Sequence, residues 1–204
     1  MRRTMRTARR TKDSGSQTRR APRLRALRFT TALLSSLVTG PVLAAPAGSD
    51  VGVGKVSGLP VPRFVSLKTD RVNLREGPSK DNRTAWVFQR AGLPVEIVAE
   101  FETWRRIRDA EGTEGWVLHS LLSGRRTALV APWTKGDAQP VTLYERADER
   151  AEIVAKLQPN VIVSVKQCTG SWCRIMVAQP SARDLDGYIR QDRLWGVYPN
   201  ERVE

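Results

Sequence analysis

The sequence predicts an all-β protein built from two copies of one small, strongly curved sheet. Three features carry that expectation. From Phe64 onward, apolar residues come in short alternating runs separated by turn formers, the two-residue period of half-buried strands. No stretch there sustains a 3.6-residue apolar stripe, so amphipathic helices are not expected. The runs also recur. Val72-Asn73-Leu74 answers to Val141-Thr142-Leu143, Trp104-Arg105-Arg106-Ile107 to Trp172-Cys173-Arg174-Ile175, and Gly115-Trp116-Val117 to Gly187-Tyr188-Ile189, at offsets of 68 to 72 residues. Self-similarity at one period is the signature of a repeated unit.

The strands are expected in this order. Phe64–Lys68 is extended and Asp70 ends it. Val72–Arg75 follows, then the turn formers Glu76-Gly77-Pro78-Ser79. Ala85–Phe88 is turned by Ala91-Gly92; Pro94–Val98 and Thr103–Arg108 alternate; Asp109–Gly112 is a turn; and Gly115–Leu118 closes the first copy. The second copy repeats the plan through Val161-Ile162-Val163-Ser164 and Arg193-Leu194-Trp195-Gly196. The boundary is placed near Thr127, so the copies span 64–127 and 128–204. Residues 128–139 connect them and are weighed as a source of one further strand.

The 204 residues carry a formal net charge of +13, which suggests a nucleic-acid partner until the charge is located. Residues 1–44 hold ten Arg and Lys12 against Asp13, a net of +10, which leaves +3 for the other 160 residues. Residues 64–127 are net +2 and 128–204 are neutral. Such a body lacks the charge excess that a polyanion track requires, so nucleic acid is not expected as a partner. The basic stretch is instead the n-region of a secretory leader. An apolar segment from Phe29 follows it, broken by Gly40 and Pro41, and small residues close it at Ala44. Residues 1–44 are therefore expected to be a cleaved signal peptide, with export to the periplasm or beyond and no stable membrane span after cleavage. Uncleaved anchor and organelle transit peptide are the competing readings, and Arg19-Arg20 raises twin-arginine export beside the general route. Residues 45–63 hold four Gly and three Pro in 19 positions and are expected to be a flexible tether.

The run Val72-Asn73-Leu74-Arg75-Glu76-Gly77-Pro78-Ser79, then Gly92-Leu93-Pro94-Val95, Trp104-Arg105-Arg106-Ile107 and Gly115-Trp116-Val117, resembles the bacterial SH3-like domain. The second copy has Arg146-Ala147-Asp148 in place of the Gly-Pro-Ser turn and is more diverged. The resemblance implies two tandem small SH3-like β-barrels after a cleaved signal peptide and flexible tether. It implies a non-catalytic binding module, directed at cell-wall peptide or an envelope protein. It also implies that ligands meet the loops at 76–83 and 100–103 in the first copy, and at 146–150 and 168–171 in the second. Exposed rings beside those loops, Trp86, Phe101 and Tyr144, are the candidate ligand contacts. Trp104, Trp116, Trp172 and Tyr188 occupy equivalent repeat positions and are expected to fill the barrels. Trp133, in the connector, is a candidate seal between the copies.

Cys168 and Cys173 flank Thr169-Gly170-Ser171-Trp172, a turn between strands. In an oxidising compartment such a pair closes as a structural disulfide. Free thiols or a redox pair are the alternatives, although a redox motif has Cys-x-x-Cys opening a helix. With one His and two Cys, neither a His-rich metal site nor a Cys₄ site is available, and no metal or cofactor is expected. His119 reads as a surface residue, Asp109, Glu111 and Glu114 as solvated turn acids, and Arg105, Arg106 and Arg108 as divided between two strand faces. An envelope hydrolase and a structural scaffold are the competing functional readings. No catalytic residue is assigned.

Overall fold

The computed structural model describes residues 52–204 apart from 135, 137, 138 and 181. The expected leader, 1–44, and the first part of the tether lie outside the described residues. Two short strands come first, β1 (Gly52–Val53) and β2 (Pro60–Val61), paired antiparallel. The first barrel follows: β3 (Arg63–Leu67), β4 (Val72–Arg75), β5 (Thr84–Phe88), β6 (Pro94–Phe101), β7 (Trp104–Arg108), β8 (Glu114–Leu118) and β9 (Leu122–Ser123). The second repeats it as β10 (Thr127–Val130), β11 (Val141–Tyr144), β12 (Ile153–Leu157), β13 (Ile162–Thr169), β14 (Trp172–Val177), β15 (Leu185–Arg190) and β16 (Leu194–Trp195), and β17 (Arg202–Val203) is added at the end. A 3-10 turn stands before the last strand of each barrel, at His119–Leu121 and Gln191–Arg193. Among the described residues there is no α-helix, and no helix long and apolar enough to cross a membrane.

Both sheets are antiparallel and share one order. The first runs β5-β4-β8-β7-β6-β3-β9 and the second β12-β11-β15-β14-β13-β10-β16, with β17 pairing onto β13. Each is an open, curled sheet with one apolar face turned inward. Alternation sets that face: on β4, Val72 and Leu74 are buried while Asn73 is exposed. The first core is Leu67, Val72, Leu74, Val95, Ile97, Ile107 and Val117, and the second is Val130, Leu143, Val163, Ile175 and Ile189. Each such side chain contributes about 1.5–3 kcal/mol when taken fully from water. Gly115 and Gly187 hold equivalent places on β8 and β15, where β4 and β11 pass close to them. A Cβ at Gly115 would stand 2.6 Å from Leu74 Cγ, and one at Gly187 2.7 Å from the Tyr144 carbonyl oxygen.

Two expectations are corrected. The barrels are filled by aliphatic side chains rather than rings. Trp104 alone of the four aromatics is buried, whereas Trp116, Trp172 and Tyr188 are half-exposed. Their positions alternate with the inward-facing Val117, Ile175 and Ile189, so the rings flank the core strands instead of entering the core. The tether is not formless throughout its length: residues 52–61 form a hairpin. Composition registers the entropy of its Gly and Pro but not the distant carboxylate, described below, that satisfies its backbone. The boundary near Thr127 coincides with the start of β10, the first strand of the second sheet, and the segment 128–139 contributes to that strand.

The seam between the barrels is closed by residues outside the connector. Thr127 Oγ1 donates to the Gly92 carbonyl at 2.8 Å, and the Tyr198 hydroxyl donates to Glu96 Oε1 at 2.8 Å. Phe64 packs edge-on against Trp195, at 5.1 Å between ring centroids, and tilted against Tyr198 at 4.7 Å. Trp133 does not seal the seam; it is half-exposed.

Candidate functional site

The groove with the clearest chemistry lies on the first barrel, around the buried Trp104. Strand β7 begins at this residue, so its indole is held at the start of a central strand with 7% of its surface exposed. Arg71, Asn73 and Arg75, at and just before β4, form one wall. Lys80, from the loop between β4 and β5, and Leu118 and Leu121, from the end of β8 and the 3-10 turn, complete a groove of about 280 Å³. Arg75 Nη1 donates to the Asn82 carbonyl at 2.7 Å, which ties this wall to the loop. The same loop is drawn in by the Arg83–Glu76 ion pair. Such a groove sets cationic donors around the edge of a largely buried indole, suited to an extended segment that carries hydrogen-bond acceptors.

The equivalent place on the second barrel carries different side chains around a half-exposed Trp172. Tyr144 stands where the first barrel has Arg75, edge-on to Trp172 at 5.8 Å. Arg190 stands in the place of Leu118, with its guanidinium 5.6 Å from the Trp172 ring centroid.

The three predicted contacts are not brought together. Trp86, 59% exposed, lies on β5 and lines a separate groove of about 850 Å³ at the seam, with Phe88, Leu129 and Pro132. Phe101, 48% exposed, packs edge-on against Trp116 at 6.5 Å. Tyr144 is the half-buried ring already placed on Trp172. Sequence reasoning missed the cationic wall. The signal was available: Arg71, Arg75 and Lys80 crowd the loop beside the central Trp, and the repeat puts Pro140, Tyr144 and Glu149 at their counterparts.

The remaining charged candidates are structural. Arg106 pairs with Glu114 at 2.8 Å and Arg108 donates to Glu96, so the arginines of β7 are engaged by acids. The strong electrostatic site is Glu100, whose side chain is 1% exposed. Its carboxylate accepts from the Val56 and Ser57 backbone N–H groups at 3.1 and 2.9 Å, from Ser57 Oγ at 2.6 Å and from Arg63 Nη2 at 2.9 Å, with Arg105 Nε at 3.4 Å. Burial alone pushes this carboxyl up. The hydrogen bonds from Ser57, Arg63 and Val56 outweigh it and hold the group at about 2. Glu100 thereby pins the β1–β2 hairpin to the first barrel. Its cross-strand partner is Arg105, and at the same place in the second barrel Cys168 faces Cys173 in a disulfide, with Cα atoms 4.1 Å apart. One position is thus closed by an ion pair in one copy and covalently in the other.

The match to a known family decides the lineage. The family model described as "Bacterial SH3 domain" matches twice, over residues 68–124 and 137–196. The chain belongs to the bacterial SH3 domain family. Both matches fall on the two sheets described above, and bacterial SH3 domains are generally binding modules. A search of curated proteins finds no match to the sequence. Among solved structures, the tandem bacterial SH3 chain is similar to NlpC2 and NlpC1 from Trichomonas vaginalis, at 16% and 18% identity with TM-scores of 0.29 and 0.30. Those similarities cover 66% and 70% of this chain and 48% of each of the others, so the chain spans about half the length of those proteins.

Proposed function

We propose that this protein is an exported, non-catalytic adaptor of the cell envelope that recognises cell-wall peptide or a peptide segment of an envelope protein. One observation carries the reading: the open groove at Trp104, bordered by the 76–83 loop and the 3-10 turn, on a scaffold whose seam holds two bacterial SH3 domains together. The basic and apolar leader over residues 1–44 supports export to the periplasm or beyond, and the Cys168–Cys173 bridge accords with an oxidising compartment. We assign binding to the first domain, which has Arg71, Arg75 and Lys80 around its groove where the second has Pro140, Tyr144 and Glu149.

The test is co-sedimentation of the purified chain with murein sacculi and, in parallel, capture from detergent-solubilised envelope. Retention on either should fall at least tenfold for Trp104→Phe, which keeps a ring at the site, with the melting temperature as the control for folding. Retention by neither support would remove the envelope ligand from consideration.

A further inference from the structure

The two Trp sites differ in charge. The first is lined by three cations, of which Arg71 and Lys80 are exposed and Arg75 is half-buried, and no carboxylate is among its lining residues. In the second groove, Tyr144 replaces Arg75, Glu149 replaces Lys80 and Arg190 replaces Leu118. Arg190 Nη1 lies 3.6 Å from Glu149 Oε1, and its guanidinium covers the Trp172 ring. The second barrel thus carries a cation–carboxylate pair beside an indole that is more exposed than Trp104. In the first barrel the residue at the carboxylate's place is itself a cation, so the three cations have no acid among the residues that line the groove.

We infer that the Trp104 groove takes an acidic peptide segment, with carboxylates seated between Arg71, Arg75 and Lys80, and that the second barrel does not share this site. This rests on the reading above that the first domain's groove is the binding site, and it adds the chemistry of the ligand and the number of sites. A guanidinium fork meets a carboxylate with two parallel hydrogen bonds, and Arg75 is pre-oriented by its bond to the Asn82 carbonyl. The scale favours a few carboxylates rather than a long polyanion. The groove holds about 280 Å³, and the surrounding domain, residues 64–127, is only +2 overall.

The experiment titrates the full chain with two synthetic pentapeptides, Ala-Glu-Ala-Glu-Ala as the free acid and Ala-Gln-Ala-Gln-Ala as the C-terminal amide. It is read by calorimetry and by the indole N–H resonances. The acidic peptide should bind at one site per chain, shift Trp104 and not Trp172, and weaken as salt rises. The Arg71→Gln/Lys80→Gln variant changes two exposed residues and should lose at least tenfold in affinity at an unchanged melting temperature. Equal binding of the two peptides, a shift at Trp172 in the unaltered chain, or no binding of the acidic peptide by several millimolar would overturn the inference. Stronger competition from polyphosphate than from the acidic peptide would do the same. Sacculus or envelope retention that persists alongside any of these results leaves the adaptor reading standing and rejects only the ligand chemistry. Loss of all retention rejects the adaptor reading itself.

Discussion

At the scale of single residues, Glu100 shows how one side chain converts a Gly- and Pro-rich stretch into structure. The hairpin at 52–61 buries little of its own, and its order depends on a carboxylate 40-odd residues away that accepts two of its backbone N–H groups. Hydrogen bonds to a charged acceptor contribute about 1.5–3 kcal/mol each, more than the usual neutral bond. Glu100→Gln should therefore speed hydrogen exchange at Val56 and Ser57 by about tenfold to a hundredfold at pH 7, with exchange in the β6–β7 ladder changed less. Unchanged exchange at those two amides would show that the hairpin is held by something else. The pH dependence has a defined sign. The group sits at about 2 in the folded chain, below the ordinary value of about 4.3. Its stabilising effect is then fully present above about pH 4.3 and is lost as pH falls towards 2. Docking of the hairpin, followed by the Val56 and Ser57 amide shifts, should be level from pH 7 to 5 and decline below that. Tyr198 goes the other way: burial, and then its bond to Glu96, push the phenol up, so it remains the donor at the seam.

Among the elements, the hairpins that close each barrel show one geometry stabilised by two chemistries. The β6–β7 turn places Glu102 at φ 46°, while the matching turn of β13–β14 uses Gly170 at φ 103°, where a missing Cβ relieves the strain. Just inside these turns stand the Glu100–Arg105 pair in one copy and the Cys168–Cys173 bond in the other. The bridge closes a loop of six residues, worth about 2 kcal/mol on the chain-entropy estimate. Cys168→Ser/Cys173→Ser should lower stability by about that amount in chemical denaturation and leave binding at Trp104 intact, since that groove is on the other barrel. A loss of binding in this variant would tie the second barrel to the site. Much of this level was legible beforehand. Val72–Arg75 is a strand with the expected bounds, because its alternation and its turn residues agree. The role of Trp116 and Tyr188 was not legible, because the apolar content of a ring does not say which face of a strand it occupies until the register is set. Their β-strand neighbours Val117 and Ile189 take the inward face, and a single step along the strand reverses the side.

Over the whole molecule, the question is whether the two domains unfold together. The seam joins Phe64 to Trp195 and Tyr198, Tyr198 to Glu96, and Thr127 to Gly92, so the barrels are coupled by packed rings and hydrogen bonds. The chain should melt in one calorimetric transition. Phe64→Ala removes a buried ring, a change that commonly costs about 3–5 kcal/mol, and should separate the transition into two. A single transition that merely moves to lower temperature would mean that Phe64 stabilises its own barrel without coupling it to the next. A second site in the second barrel, by contrast, is not expected, since Pro140, Tyr144 and Glu149 stand where the first barrel has its cations.

The residue order by itself determined the class of the fold, its duplication and the cysteine pairing. These depend on local periods and short separations: a two-residue alternation, a repeat offset of about 70 residues, and a pair of thiols five apart across one turn. The groove could be located only in part, through the loop at 76–83 that contains Lys80. Only the tertiary structure decided that Arg71, Arg75 and Lys80 gather beside Trp104, that Tyr144 packs edge-on against Trp172, and that Glu100 holds the hairpin. Each of these joins groups far apart along the chain. Their meeting depends on sheet order and curvature, and periodicity encodes neither.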